Sequence, residues 1–128
     1  MQTENVINID ELYERVAGDE ELLHEIIELF MEDYNDHLDN INQAISTNNV
    51  ELLTKAAHTL KGAVATFAAE QARNAAFTLE KMGRNNDLSG SREANEILLV
   101  EIEKLKNALL NLSPTVFSTI TKTEPILG

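Results

Sequence analysis

The sequence predicts an all-α protein, an antiparallel four-helix bundle with a short additional helix at its N-terminal end. Three observations predict it. Apolar residues recur at spacings of three and four along four long segments, which is the period of one helical face. No stretch alternates apolar and polar residues as a half-buried strand would. Short connections rich in Asn, Asp and Gly separate the segments, as between antiparallel neighbours. At 128 residues and 14.3 kDa the chain suits one domain with one core. The expected division is a bundle over 1–112 and a tail or linker over 113–128.

Residues 1–8 read as a lead-in. A short helix follows from Ile9, with Asp10 as its expected N-cap and Leu12 and Val16 facing inward. Gly18 is placed to end it in a left-handed conformation, and Asp19 to cap the next helix. That helix runs to about Ser46 on a seam of Leu23, Ile27, Phe30, Tyr34, Leu38, Ile41 and Ile45. Asn48-Asn49 makes a turn, and Asn49 caps a helix over Val50–Phe67. A tight connection at Ala68-Ala69-Glu70 leads to a helix through Met82 with Ala72, Ala75, Ala76 and Leu79 inward, ended by Gly83 and Asn85-Asn86. The last helix follows the Asp87–Ser91 loop and runs to about Asn111 on Ala94, Leu98, Ile102, Leu105, Leu109 and Leu112. Pro114–Gly128 has two prolines, five Ser or Thr and no apolar period, so it fits a linker or a segment packed on the bundle.

Charge singles out one stretch. The whole chain carries a net −12, but Lys55–Arg84 holds five bases against two acids, a net +3. A basic island in so acidic a chain calls for a reason other than solubility. Within it, Leu53, Ala56, Leu60, Ala63, Val64 and Phe67 form one apolar seam, and at about 100° per residue His58 lies nearly opposite. Lys55, Lys61, Gly62 and Ala65 share its face. Gly62 costs a helix about 1 kcal/mol against alanine, one turn after the histidine. It either clears space beside the imidazole for another molecule or is a tolerated glycine on a solvated face.

Ala57-His58-Thr59-Leu60-Lys61-Gly62-Ala63, followed by Phe67 and by Ala76, Leu79, Glu80 and Gly83, resembles the histidine phosphotransfer (HPt) domain. In that family the motif is His-x-x-Lys-Gly, a small residue, then Ala-x-x-Leu-Glu on the following helix. The likeness extends from about Ile9 to Leu112. One departure is visible: many members have glycine at the end of the His helix, where this chain has Ala68. The resemblance implies that His58 is a phosphoacceptor and that Lys61 and Gly62 belong to its site.

Hairpin geometry adds a residue. If the turn centres on Ala69, Glu80 lies level with His58, on the flank of its helix, and is placed to reach the imidazole. The family has Glu or Gln at the matching position, accepting from Nδ1–H and leaving the Nε2 lone pair free to attack phosphorus. The alternative is an exposed glutamate paired with Arg84 or Arg73. Lys61 is the family-matched cation, while Lys55 enters from spacing alone and also reads as an ordinary surface lysine. Lys55, Ala65 and Phe77 form a possible docking surface, although Phe77 also suits packing under the preceding loop.

The chain has no cysteine, hence no disulfide or thiolate site, and no apolar run near the roughly 18 residues of a membrane span. It has no leader pattern, so a cytoplasmic protein without membrane insertion is expected. Its acidity argues against nucleic acid. No P-loop, glycine-rich kinase loop or Mg²⁺-binding carboxylate pair is recognisable. A phosphocarrier without these exchanges with a partner that supplies the metal. By the resemblance, the partners are response-regulator receiver domains, which bring Mg²⁺ and an aspartate, and a hybrid histidine kinase. The expectation is a shuttle with no cofactor of its own, as a separate protein or as part of a hybrid kinase. Two alternatives stay open: an acidic bundle acting as an adaptor without phosphotransfer, and the phosphoacceptor domain of a chemotaxis-type kinase, which expects a kinase core downstream. His24-Glu25-Ile26-Ile27-Glu28 looks like half of a zinc-protease helix, lacking the second histidine. His37 among Asp33, Asp36 and Asp39 reads more simply as a solvated acidic face than as a cation site.

Overall fold

In a computed structural model the described residues are 6–112, so the expected tail, 113–128, lies outside them. Among the described residues the regular elements are helical: α1 (Ile9–Arg15), α2 (Glu20–Ser46), α3 (Val50–Ala65), α4 (Glu70–Arg84) and α5 (Ser91–Leu112). α2 packs on α3, α3 on α4 and α4 on α5, and α5 returns to α2. That closed ring is the four-helix bundle which the apolar periodicity predicts.

Local chemistry sets the boundaries. Asp19 caps α2 by accepting from the N–H groups of Glu21 and Leu22, and Asn49 caps α3 by accepting from Leu52. Both satisfy donors that a helix start leaves open. Gly18, Asn48 and Asn86 take positive φ in the turns. Ala68 does so as well, at φ 55°. The chain therefore turns from α3 to α4 through the left-handed conformation that glycine adopts most easily, with an alanine in its place.

The seams converge on one core. Leu23, Ile27, Phe30, Ile41 and Ile45 of α2 meet Leu53, Leu60 and Val64 of α3 and Leu98, Ile102, Leu105 and Leu109 of α5, all buried. Each such side chain contributes about 1.5–3 kcal/mol on burial. Phe67 is buried with its ring edge-on to Phe30, centroids 5.5 Å apart at 72°. α4 presents Ala72, Ala75 and Ala76, and these small side chains let its backbone come close to α3. Tyr34 and Leu38 are only half-buried, and the Lys106 ammonium lies 4.7 Å over the Tyr34 ring.

Four local expectations are corrected. The cap of α1 is Asn8, which accepts from Glu11 N–H at 3.1 Å, so Asp10 sits inside the first turn. The lead-in is partly core: Val6 and Ile7 are buried, and Asn8 N–H donates to the Ala68 carbonyl at 3.0 Å. α3 ends at Ala65, and Phe67 plugs the core from the turn beyond it. Gly83 does not end α4, because it lies inside the helix against α3. An added Cβ at Gly83 would stand 2.3 Å from Thr54 Oγ1, 2.8 Å from Thr54 N and 3.0 Å from Val50 O. Only glycine permits that approach.

Candidate functional site

His58 stands on the outer face of α3 with its side chain 62% exposed. The burial of Leu53, Ala56, Ala57, Leu60 and Val64 fixes that orientation, since the helix cannot rotate without exposing them. Gly62 is also exposed, and a Cβ built on it meets nothing within 4 Å. Among the described residues no neighbour requires glycine there. Its empty face is open to another molecule.

Across the hairpin, Glu80 of α4 is fully buried, 0% exposed. Its Oε2 lies 3.1 Å from His58 Nδ1. A carboxylate only accepts, so Nδ1 carries the proton and the lone pair of a neutral ring falls on Nε2. The same oxygen accepts from the Arg84 guanidinium, one turn along α4. Lys61 Nζ is 2.8 Å from Oε1, an ion pair not aligned as a hydrogen bond. Of the three partners suggested for Glu80 by the sequence, His58 and Arg84 meet it together, while Arg73 does not.

Burial alone would raise the Glu80 carboxyl pKa. The contacts from Lys61 and His58, with the charges of Lys61 and Arg84, outweigh it and hold the group below its ordinary value. The carboxylate has no exposed surface, yet its cover is the side chains of its own partners, of which His58 and Arg84 are largely exposed. It is a charge just beneath the surface, held ionised by three groups that bear on it. Gly83 explains how Glu80 gets there. The contact of Gly83 with Thr54 draws α4 onto α3 one turn from both Glu80 and His58, which brings the two side chains within hydrogen-bond reach.

Phe77, three residues before Glu80, is partly buried and ringed by cations. Lys61 Nζ is 4.7 Å and Lys81 Nζ 4.8 Å from its ring centroid, with Arg73 at 5.9 Å. It packs against side chains of its own face and of α3. Lys55 is exposed one turn before His58, outside the Glu80 network, and Ala65 is partly exposed at the far end of the same face. The other flank, absent from the sequence reading, is an apolar groove between α2 and α3 lined by Ile26, Leu29, Phe30, Ala63 and Phe67, with Asp33 and His37 at its rim. Leu29 is 57% exposed there. It lies between the seam positions Ile27 and Phe30, so periodicity alone assigns it to solvent. Arg84 was legible only as a possible partner of Glu80, through its spacing of four.

Among the described residues no group of three or more His, Cys, Asp or Glu is arranged to hold a metal ion, including the surroundings of His24 and His37. None of the described helices is long and apolar enough to cross a membrane.

A family model, the Hpt domain, matches residues 25–112, more than two thirds of the chain and a span containing His58, Lys61, Gly62 and Glu80. No curated protein and no solved structure matches. The helical ring, the exposed histidine and this match agree, and the chain belongs to the Hpt domain family, the phosphocarriers of two-component phosphorelays.

Proposed function

We propose that His58 is the phosphoacceptor of this chain, taking a phosphoryl group from the aspartate of one receiver domain and passing it to that of another. The observation that carries the reading is an exposed imidazole whose Nδ1 is bonded to a buried carboxylate. Family membership supplies the reaction class, histidine phosphotransfer. The Nε2 lone pair attacks the phosphorus of an aspartyl phosphate. A P–N bond forms as the P–O bond to the carboxyl group breaks, and the aspartate keeps the electron pair as a carboxylate. The ring retains its Nδ1 proton and becomes a phosphorylated imidazolium, whose positive charge faces Glu80. The reverse step returns the phosphoryl group to a second aspartate. The divalent metal, Mg²⁺, belongs to the receiver, and the chain needs none of its own.

The remaining residues have roles around that step. Lys61 offsets charge on the phosphoryl oxygens as a compact ammonium. Gly62 leaves room for the partner's aspartyl phosphate. Lys55, Ala65 and the exposed edge of Phe77 contribute to docking, together with Leu29 on the other flank. The partners are response-regulator receivers and a hybrid histidine kinase, and the setting is the cytoplasm.

The test is incubation with a phosphorylated receiver domain, followed by mapping of label. The expected product is acid-labile, base-stable phosphate on His58, absent from a folded His58→Gln protein. Undiminished labelling of His58→Gln would remove His58 as acceptor. Stable complex formation without any label would favour the adaptor reading.

A further inference from the structure

Lys61 is held in a way that its place on an exposed face does not require. A lysine there ordinarily samples many rotamers, since its stem has four flexible carbons. The Lys61 side chain is instead 19% exposed. Two residues of α4 confine it. Its ammonium lies 2.8 Å from Glu80 Oε1 and 4.7 Å from the centroid of the Phe77 ring. Phe77 and Glu80 are three apart on one helix face, so the ring and the carboxylate meet the same cation from adjacent positions. Lys81 and Arg73 also approach the ring, but Lys61 is the one of the three that also reaches Glu80.

We propose that Phe77 is a positioning residue for phosphotransfer: its ring holds the Lys61 ammonium against Glu80, fixing a positive charge one turn from the His58 imidazole. The inference rests on the reading of His58 as acceptor. The negative face of an aromatic ring attracts a cation without neutralising it. The ring adds a second contact that confines the ammonium without bringing a further negative charge to the site. When a phosphoryl group arrives on Nε2, an ammonium already confined nearby loses less rotamer freedom on meeting it than a freely moving one. Phe77 therefore acts through Lys61, on the phosphorylated state as well as on transfer.

The experiment combines Phe77→Leu, Phe77→Trp and Lys61→Ala, singly and as Phe77→Leu with Lys61→Ala. Each folded protein is assayed for phosphoryl acceptance from a phosphorylated receiver and for partner-free hydrolysis of its phosphohistidine. NMR shifts of the Lys61 Hε protons, which a nearby ring displaces upfield, report on the clamp directly. Phe77→Leu should slow transfer and shorten the phosphohistidine lifetime by about two- to fivefold, the range of an exposed cation–π contact. Phe77→Trp should keep both near wild type, and Phe77→Leu should not shorten the phosphohistidine lifetime further once Lys61 is alanine. The upfield shift should vanish in Phe77→Leu. If Phe77→Leu slows transfer but leaves hydrolysis and the Lys61 shifts unmoved, Phe77 is a docking residue only and the positioning role is wrong. An equal effect of Phe77→Leu on that lifetime with and without Lys61 overturns it too. Should His58 take no phosphate in any protein, the acceptor reading fails, and the Lys61 shifts alone then decide whether the clamp exists. Should Phe77→Leu fail to fold, the wild-type Lys61 shifts and the Phe77→Trp rates still decide, because unshifted wild-type protons would overturn the clamp.

Discussion

Glu80 is where burial and charge meet in this molecule. Its carboxyl pKa is lowered in the folded state, with burial opposing and the Lys61, His58 and Arg84 contacts prevailing. A depressed acid stabilises the fold above its unfolded pKa, about 4.3, and that contribution is lost as pH falls through the folded value. Glu80→Gln should therefore lower stability at pH 7 by about 1 kcal/mol, the scale of a net hydrogen bond, and the gap to wild type should narrow toward pH 3. Thermal melts across that range check the sign, and a gap that widens in acid would mean that the carboxylate is not the stabilising group. Gly62 responds in the opposite sense. Gly62→Gln should leave the fold intact or raise its stability by up to about 1 kcal/mol, since glycine is the poorer helix former and a Cβ there meets open space. Its transfer rate should nevertheless fall, because the new side chain occupies the approach to His58. A wild-type rate in a folded Gly62→Gln protein would make the glycine incidental.

At the scale of the helices, the pairing of α3 with α4 decides whether the site exists. Gly83→Ala places a methyl group within 3.0 Å of the Thr54 and Val50 backbones, which cannot yield as a flexible side chain would. The expected cost is about 1–3 kcal/mol, the range for overpacking, together with slower transfer, because separating the helices draws Glu80 from His58. A Gly83→Ala protein of unchanged stability would show that the helices part at no cost. Ala68→Gly tests the turn on the other end of the hairpin. Alanine at φ 55° carries a left-handed penalty of roughly 1–2 kcal/mol, partly offset by the entropy glycine loses on folding. A gain of about 0.5–1 kcal/mol in denaturant unfolding is expected; a loss would mean that the Ala68 methyl makes contacts worth more than the strain. The hairpin also marks how far the sequence was legible. The level pairing of His58 with Glu80 followed from a turn centred near Ala69, because regular helices carry position faithfully over a few turns. The function of Gly83 did not follow, since a glycine near a predicted helix end reads as a stop, and only the tertiary approach of Thr54 reveals a packing glycine. Asn8 was missed as a cap for a related reason: Asn8 and Asp10 are both good caps, and the buried Ile7 that pins the start has no periodic neighbours to announce it.

Over the whole molecule, acidity and basicity are segregated. α2 carries eight acids and no base, whereas His58 sits among Lys55, Lys61, Lys81 and Arg84 on α3 and α4. The sequence showed this contrast directly, because charge runs survive folding. It did not show the apolar groove beside Leu29, which depends on how α2 and α3 splay, nor that one carboxylate gathers two cations and the His58 imidazole around it. That gathering supports the proposal that Glu80 holds Nδ1 of His58 and directs the phosphoryl group to Nε2. The most direct measurement is NMR of the phosphorylated protein, with ³¹P–¹⁵N coupling used to locate the P–N bond on the His58 ring. The account predicts phosphorus on Nε2, with the proton retained on Nδ1. Phosphorus on Nδ1, or on a residue other than His58, would contradict it.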